Sequence, residues 1–261
     1  MLTLTTLASG SSGNCTLLSD GETHLLLDAG ISCRRICAAL AELHIPPESL
    51  SGVLITHEHS DHISGLATLH KRFQLPVYTS PGTARQLCYR IAALEDVVRT
   101  CPPGGSFAVG GLDVETFPIS HDAAEPMGFA VSSGDRKAAL ATDLGAVTED
   151  VRRGMEGARL ILVEANHDVE WVRSGPYPYS LKARILGQRG HLSNEEGGAL
   201  ALDAVRSGAH TVVLAHLSRE NNTPQRAFDA VHTILNAYGP GQSPLTLAVA
   251  PRDRIGPVYT V

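Results

Sequence analysis

Residues 56–62 read THEHSDH, three histidines and two acids in seven positions. Imidazole and carboxylate are the donors that a borderline divalent ion such as Zn²⁺ takes. His57 and His59 are two apart, so on a chain leaving a strand they point the same way. Asp61 and His62 follow where LITH gives way to the helix-like HISGLATLHKRF (62–73). Adjacent residues do not share one facing direction, so this pair addresses a second ion.

Three later stretches have the same character: ISHD (119–122), ATDLG (141–145) and LAHLS (214–218). In each, a polar residue (His121, Asp143, His216) stands where an apolar strand ends. A strand end is rigid behind and open in front, a natural place for ligands to converge. Together the four stretches supply seven donors, the number expected for two ions sharing one carboxylate. A lone histidine would read as a hydrogen-bonded core residue, but four clusters at four strand ends do not fit that reading.

The rest of the chain frames these stretches. LTLTTLA, NCTLLSD and THLLLDAG read as strands, with the turn SGSSGN between the first two. SCRRICAALAELHI has helical periodicity and SGVLITH is a buried strand. GSFAVGGLDVETFPISH and GFAVSSGDRKAALATD read as hairpins turning at GG and SGD. ARLILVEAN and HTVVLAH are apolar strands, NTPQRAFDAVHTILNAY (222–238) is a closing helix and LTLAVA a last strand. Strand clusters with helices interleaved predict a layered α/β fold with two sheets between helices. With no repeat or linker, residues 1–261 are read as a single domain.

Bulk composition excludes several classes. Hydrophobic residues make up 43%, enough for a substantial core. No apolar run approaches the ~20 residues of a membrane helix, and MLTLTTLASGSSGN lacks the basic and apolar regions of a signal peptide; cytoplasmic localisation without membrane contact is the expectation. The five cysteines are odd in number and form no C-x-x-C pair, so they are read as reduced, with Cys33 and Cys37 as packing residues. Net charge is −6, so a nucleic-acid partner needs a local basic patch. There is no G-x-S-x-G elbow, Walker A loop or Rossmann fingerprint. Gly10-Ser11-Ser12-Gly13 matches a KH-type G-x-x-G loop but reads better as a tight turn.

H-x-H-x-D-H followed by single His, Asp and His ligands resembles the metallo-β-lactamase superfamily, and the likeness covers essentially the whole chain. The resemblance implies a four-layer αββα sandwich with two divalent ions at the edge between its sheets. His57, His59 and His121 would hold one ion, Asp61, His62 and His216 the other, and Asp143 would bridge them. Zn²⁺, Mn²⁺ and Fe²⁺ all accept this donor mixture. Two ions about 3.5–4 Å apart bring the pKa of a shared water toward ~7. Hydrolysis is therefore the reaction class, with no organic cofactor.

Zinc β-lactamases usually lack the aspartate bridge and use a cysteine ligand, so antibiotic hydrolysis is disfavoured. GHLSNEEGGALALDAV (190–205) sets His191 before a helix, with Ser193 and Glu196 at capping-box spacing. It resembles the G-H-x-S motif of β-CASP nucleases and the matching ribonuclease Z histidine, implying that His191 contacts the scissile phosphate. TVVLAHLSREN resembles the ribonuclease Z segment around the last ligand. The interval between Asp143 and His216 is too short for a β-CASP insertion, and a long transfer-RNA arm is missing. LASGSSGNCTLL, LITHEHSDHISGL, VEANHD, YPYSLKARILGQRGHLSN and HLSRENN are similar to the compact YycJ (WalJ) family. That resemblance implies a 5′→3′ DNA exonuclease, DNA being favoured over RNA, with links to mismatch repair and cell-wall signalling. Asp61 and His191 are then the candidate catalytic residues. His167 is expected at the cleft rim, and Lys182, Arg184, Arg189 and Arg219 are expected to grip the phosphate backbone. A thioester or lactone hydrolase of glyoxalase II or lactonase type is the competing reading of the same two-metal site, and a non-catalytic interaction protein is a third.

Overall fold

A computed structural model of the chain describes residues 1–237 and 245–261. In the first sheet, β1 (Thr3–Ala8), β2 (Cys15–Ser19), β3 (His24–Leu27), β4 (Leu50–Leu54), β5 (Val77–Thr79) and β6 (Val98–Thr100) lie side by side in chain order. The second sheet holds β7 (Ser106–Val109), β8 (Leu112–Pro118), β9 (Met127–Ser133), β10 (Arg136–Ala141), β11 (Leu160–Glu164), β12 (Thr211–Ala215) and β13 (Thr246–Val249), again neighbour by neighbour. The last strand, β14 (Tyr259–Thr260), returns to pair antiparallel with β1.

Period-two alternation sorts the strands' side chains between layers. On β11, Leu160 and Leu162 join Leu25 and Leu27 of β3 in the core between the sheets. Ile161 and Val163 turn the other way, toward a core shared with α5 (Glu149–Met155), α8 (Asn194–Arg206) and α9 (Pro224–Asn236). Leu26 and Val53 face outward from the first sheet, onto α1 (Cys33–Glu42), α3 (Leu66–Phe73) and α4 (Pro81–Arg90). Three cores between four layers make an αββα sandwich, as the resemblance implies.

Both hairpins turn where the sequence marks them. β7 passes to β8 through Gly110, at φ 57°, and β9 to β10 through Gly134, at φ 60°. The G-x-x-G stretch is a turn between β1 and β2, closed by Gly13 N–H donating to Gly10 O at 2.9 Å. The closing helix α9 ends at Asn236, and Tyr238, at the end of the expected helix, lies outside the described residues. The brief strands β5, β6 and β14, the last two at the sheet's edges, carry no pattern that the sequence reading marked. No described helix is long and apolar enough to cross a membrane, and all five cysteines are unpaired.

The parallel pairing decides where the site lies. β3 and β4 run parallel, as do β10, β11 and β12; β8 is antiparallel to β9, which is antiparallel to β10. The carboxyl ends of β8, β10, β11 and β12 therefore share one edge of the second sheet, and those of β3 and β4 share one edge of the first.

Candidate metal centre

Each of these strands delivers a polar residue at its carboxyl end. Asp28 follows β3, Thr56 and His57 follow β4, His121 follows β8, Asp143 follows β10, Glu164 ends β11 and His216 follows β12. Three of them hold left-handed backbone: Asp28 at φ 60°, Asp143 at 63° and His216 at 55°. Non-glycine residues seldom adopt this conformation, and it persists where the surroundings over-determine it. Here it swings each side chain off the strand and into the shared edge.

The seven expected donors converge. One nitrogen each from His57, His59 and His121 lies within 4.8 Å of the other two, and one atom each from Asp61, His62, Asp143 and His216 meets the same limit. Asp143 touches both groups. Its Oδ1 is 3.7 Å from His121 Nε2 and 3.5 Å from His216 Nε2, and its Oδ2 is 3.1 Å from His62 Nε2. Asp61 Oδ2 lies 3.3 Å from His216 Nε2 and 3.4 Å from His62 Nε2. α2 (Ser60–Ile63) carries both Asp61 and His62, so the motif's second half enters the site from the first turn of a helix.

Two carboxylates outside the seven fix the imidazoles from behind. Asp28 Oδ2 is 2.7 Å from His62 Nδ1, while its Oδ1 accepts from Thr56 N–H at 2.9 Å. Glu164 is fully buried. Its Oε1 accepts from His191 Nδ1 at 2.8 Å and His216 Nδ1 at 3.1 Å, and its Oε2 accepts from the N–H groups of Leu144 and Leu192 at 2.8 and 3.3 Å. A carboxylate on Nδ1 places the proton there and turns the Nε2 lone pair into the site. Sequence reasoning missed both residues. The only signal was a weak one, since LLLD and LILVE are apolar strands ending in an acid, as ordinary strands also do.

Charge follows this arrangement. Burial alone would lower the pKa of His216, but Asp143, Asp61 and Glu164 push it up to about 10. His62 is raised in the same way by Asp143 and Asp28. Burial would raise Glu164, yet His191 and His216 bring it down to about 2. His57, buried and beside His62, is held well below the ordinary imidazole value and is neutral.

Two buried atoms stand out where the groups meet. His57 Nε2 makes no hydrogen bond, and Asp143 Oδ2 has only its 3.1 Å ion contact with His62 Nε2. A buried polar atom without a partner is costly and rare. Both belong to donor sets rich in imidazole and carboxylate, the chemistry that divalent ions take. The residues fit a metal site.

A family model described as a β-lactamase superfamily domain matches residues 23–217. The chain belongs to the metallo-β-lactamase superfamily. Exodeoxyribonuclease YycJ of Bacillus anthracis is 38% identical to it over 243 residues, 90% of this chain and 89% of that protein. Exodeoxyribonuclease WalJ of Streptococcus pneumoniae is 39% identical over 224 residues, 85% and 83% of the two chains. Among solved structures, the metallo-β-lactamase fold protein YhfI from Bacillus subtilis covers all of both chains with a TM-score of 0.76 at 17% identity, a likeness of fold.

Around this superfamily core, the residues expected to meet substrate are placed unequally. His191 stands at the edge of the donor sets with its side chain 19% exposed, its ring stacked on His216 at 5.3 Å and its Nδ1 held by Glu164. The capping box behind it is formed: Ser193 Oγ accepts from Glu196 N–H and Glu196 Oε2 from Ser193 N–H. His167, expected at the rim, is instead buried at 1% exposure. Its backbone bridges to Ser193 and draws it under the start of α8. Arg184, on α7 (Tyr179–Ile185), forks onto Asp122 at 2.6 and 3.2 Å, so its charge is already matched. Arg189 Nε donates to His121 O, Lys182 Nζ donates to Arg173 O, and Arg219 is exposed after β12.

Proposed function

We propose that the protein is a dinuclear-metal-dependent phosphodiesterase that removes nucleotides from DNA as a 5′→3′ exonuclease. The observation that carries this reading is the pair of abutting donor sets with Asp143 between them and His191 held alongside by Glu164. In the proposed assignment His57, His59 and His121 would hold one ion, Asp61, His62 and His216 would hold the other, and Asp143 would serve both. Zn²⁺ and Mn²⁺ suit the donors, as does Fe²⁺. Two such ions supply Lewis acidity and a water of lowered pKa, the requirements of phosphodiester hydrolysis at neutral pH. The chain's own residues do the rest. Asp61 and Asp143 fix the geometry of the second set, and Asp28 and Glu164 keep His62 and His216 in the tautomer that presents Nε2. His191, its Nδ1 engaged, offers Nε2 to a phosphate oxygen or to the leaving oxygen. The names of the YycJ and WalJ relatives support DNA as the polymer.

The test is a substrate panel with added Mn²⁺ or Zn²⁺: duplex DNA labelled at either end, single-stranded DNA, RNA, a lactone and S-lactoylglutathione. Nucleotide release from the 5′ end of duplex DNA is the expected result. Rapid turnover of the lactone or thioester with DNA left intact would replace the nuclease with a small-molecule hydrolase.

A further inference from the structure

The turn between β1 and β2 is bonded to the donors themselves. Ser9 Oγ accepts from His216 N–H at 2.9 Å, and Asn14 Nδ2 lies 3.1 Å from His62 Nε2 and 3.4 Å from Asp61 Oδ2. Asn14 Oδ1 accepts from Gly10 N–H, which closes the loop over its own base. At its tip Ser11 and Ser12 are exposed, and their N–H groups make no hydrogen bond among the described residues. Arg252, from the segment after β13, lies across this loop. Its Nη2 donates to Ser218 O at 3.3 Å, its carbonyl accepts from Ser9 N–H, and a Cβ added at Gly10 would stand 3.5 Å from its Nε. Gly10, held at φ 145°, thus packs against the Arg252 side chain at ordinary contact distance.

Electrostatics give this arrangement a use. Asp28, Asp61, Asp143 and Glu164 together carry the four negative charges that two divalent ions would offset. Attraction for a polyanion must then come from cations at the rim. Arg184 is spent on Asp122, whereas Arg252 pairs with no carboxylate among the described residues and uses one N–H on a carbonyl. A guanidinium with free donors beside unpaired backbone N–H groups is a phosphate-binding combination.

We infer that Arg252, with the Gly10–Gly13 loop beneath it, binds a phosphate of the DNA strand on the His216 side of the metal centre. The inference rests on the nuclease reading and adds a subsite to it. One lost charge-assisted contact corresponds to about a 10- to 100-fold fall in kcat/KM and flattens the salt dependence of duplex binding by about 0.9. Both are to be measured for Arg252→Ala and Arg252→Lys, with metal content counted alongside. Duplexes bearing a 5′-phosphate or a 5′-hydroxyl separate the two sources of the anion. A loss on both ends assigns an internal phosphate, and a loss confined to phosphorylated ends assigns the terminal one.

Turnover of bis(p-nitrophenyl) phosphate serves as the reference, because it is too short to span two subsites. The support sought is a loss on DNA at least tenfold greater than the loss on this ester, with the lysine variant between. Equal losses on the two substrates, or an unchanged salt slope in a variant that keeps its metals, would overturn the subsite. If the wild-type protein cleaves small esters but no DNA, the nuclease reading itself fails and the subsite with it.

Discussion

Glu164→Gln tests how the site is held, because glutamine matches glutamate in shape but not in donor count. Glu164 accepts four hydrogen bonds, two from imidazole Nδ1 atoms and two from backbone N–H groups. Glutamine has one oxygen and one NH₂, so one of these pairs must face a donor. If the NH₂ faces the rings, His216 can accept only as the tautomer with its proton on Nε2, which cannot hold a metal. If the oxygen faces the rings, the N–H groups of Leu144 and Leu192 lose their acceptor, at about 1–3 kcal/mol each. Metal-free protein can take the first arrangement, because removing the Glu164 charge takes away part of what holds the second proton on His216, and loaded protein can take only the second. That difference of roughly 2–6 kcal/mol weighs against metal, and carboxylates behind ligating histidines typically account for about 10- to 100-fold in affinity. Competition with a graded chelator, read by metal content, should show at least a tenfold weakening of one ion, with the circular dichroism of the fold retained. A variant that binds both ions within about twofold of the parent would refute the tautomer argument.

Further outcomes follow from the same geometry. Asp143→Ala should lose both ions and nearly all turnover, because its carboxylate touches both donor sets; one tightly held ion in an active wild-type enzyme would undo the two-metal assignment. His191→Ala should keep both ions and lose on the order of 10²–10⁴ in turnover, and metal loss in that variant would make His191 a ligand instead. In the metal-free fold, the raised pKa of His216 contributes stability that is complete below its ordinary value of 6.5 and is lost as pH climbs through about 10. A divalent ion needs Nε2 unprotonated, so loading at pH 7 should expel protons from His62 and His216, about two per chain. Calorimetry in buffers of different ionisation enthalpy reads that number, and a value of zero would contradict the charge assignment.

The donors were legible because histidines gathered this densely at strand ends seldom serve anything but metal binding. The seven residues named from THEHSDH, ISHD, ATDLG and LAHLS fall into two of the donor groups among the described residues, and a third group adds Glu164 and His191. Asp28 and Glu164 escaped because each is a single acid closing an apolar run, a pattern also expected of an ordinary strand end. The rim was harder for a different reason. Whether an arginine is available depends on partners distant in sequence, and the pairing of Arg184 with Asp122 spans 62 positions. His167 was misplaced because its burial comes from a backbone bridge to Ser193, which no local pattern announces. Arg252 carried no signal at all, since only the return of β13 beside β12 sets it over the first turn of the chain. Edge strands of two or three residues are too brief for period-two alternation to register.

The two donor sets are built differently, although each draws on both sheets. Apart from Asp143, the first set is three histidines, two of them on the short path from His57 to His59. His57 is kept neutral by burial, and His121 is lowered by the same cause. These nitrogens are ready for an ion without surrendering protons. The second set gathers Asp61, His62 and His216 around Asp143, with Asp28 and Glu164 on the far side of each imidazole. Its carboxylates raise the histidines' pKa values and so charge them in the metal-free protein, making ion uptake an exchange of protons for metal. Asp143 joins the neutral set to the charged one, and its left-handed backbone at the end of β10 lets one carboxylate reach both. A conventional strand exit at that position would carry the side chain to one face or the other. The strain held at Asp143 is therefore the structural condition for a shared site, and the packed sheet behind β10, buried on both faces, is what sustains it.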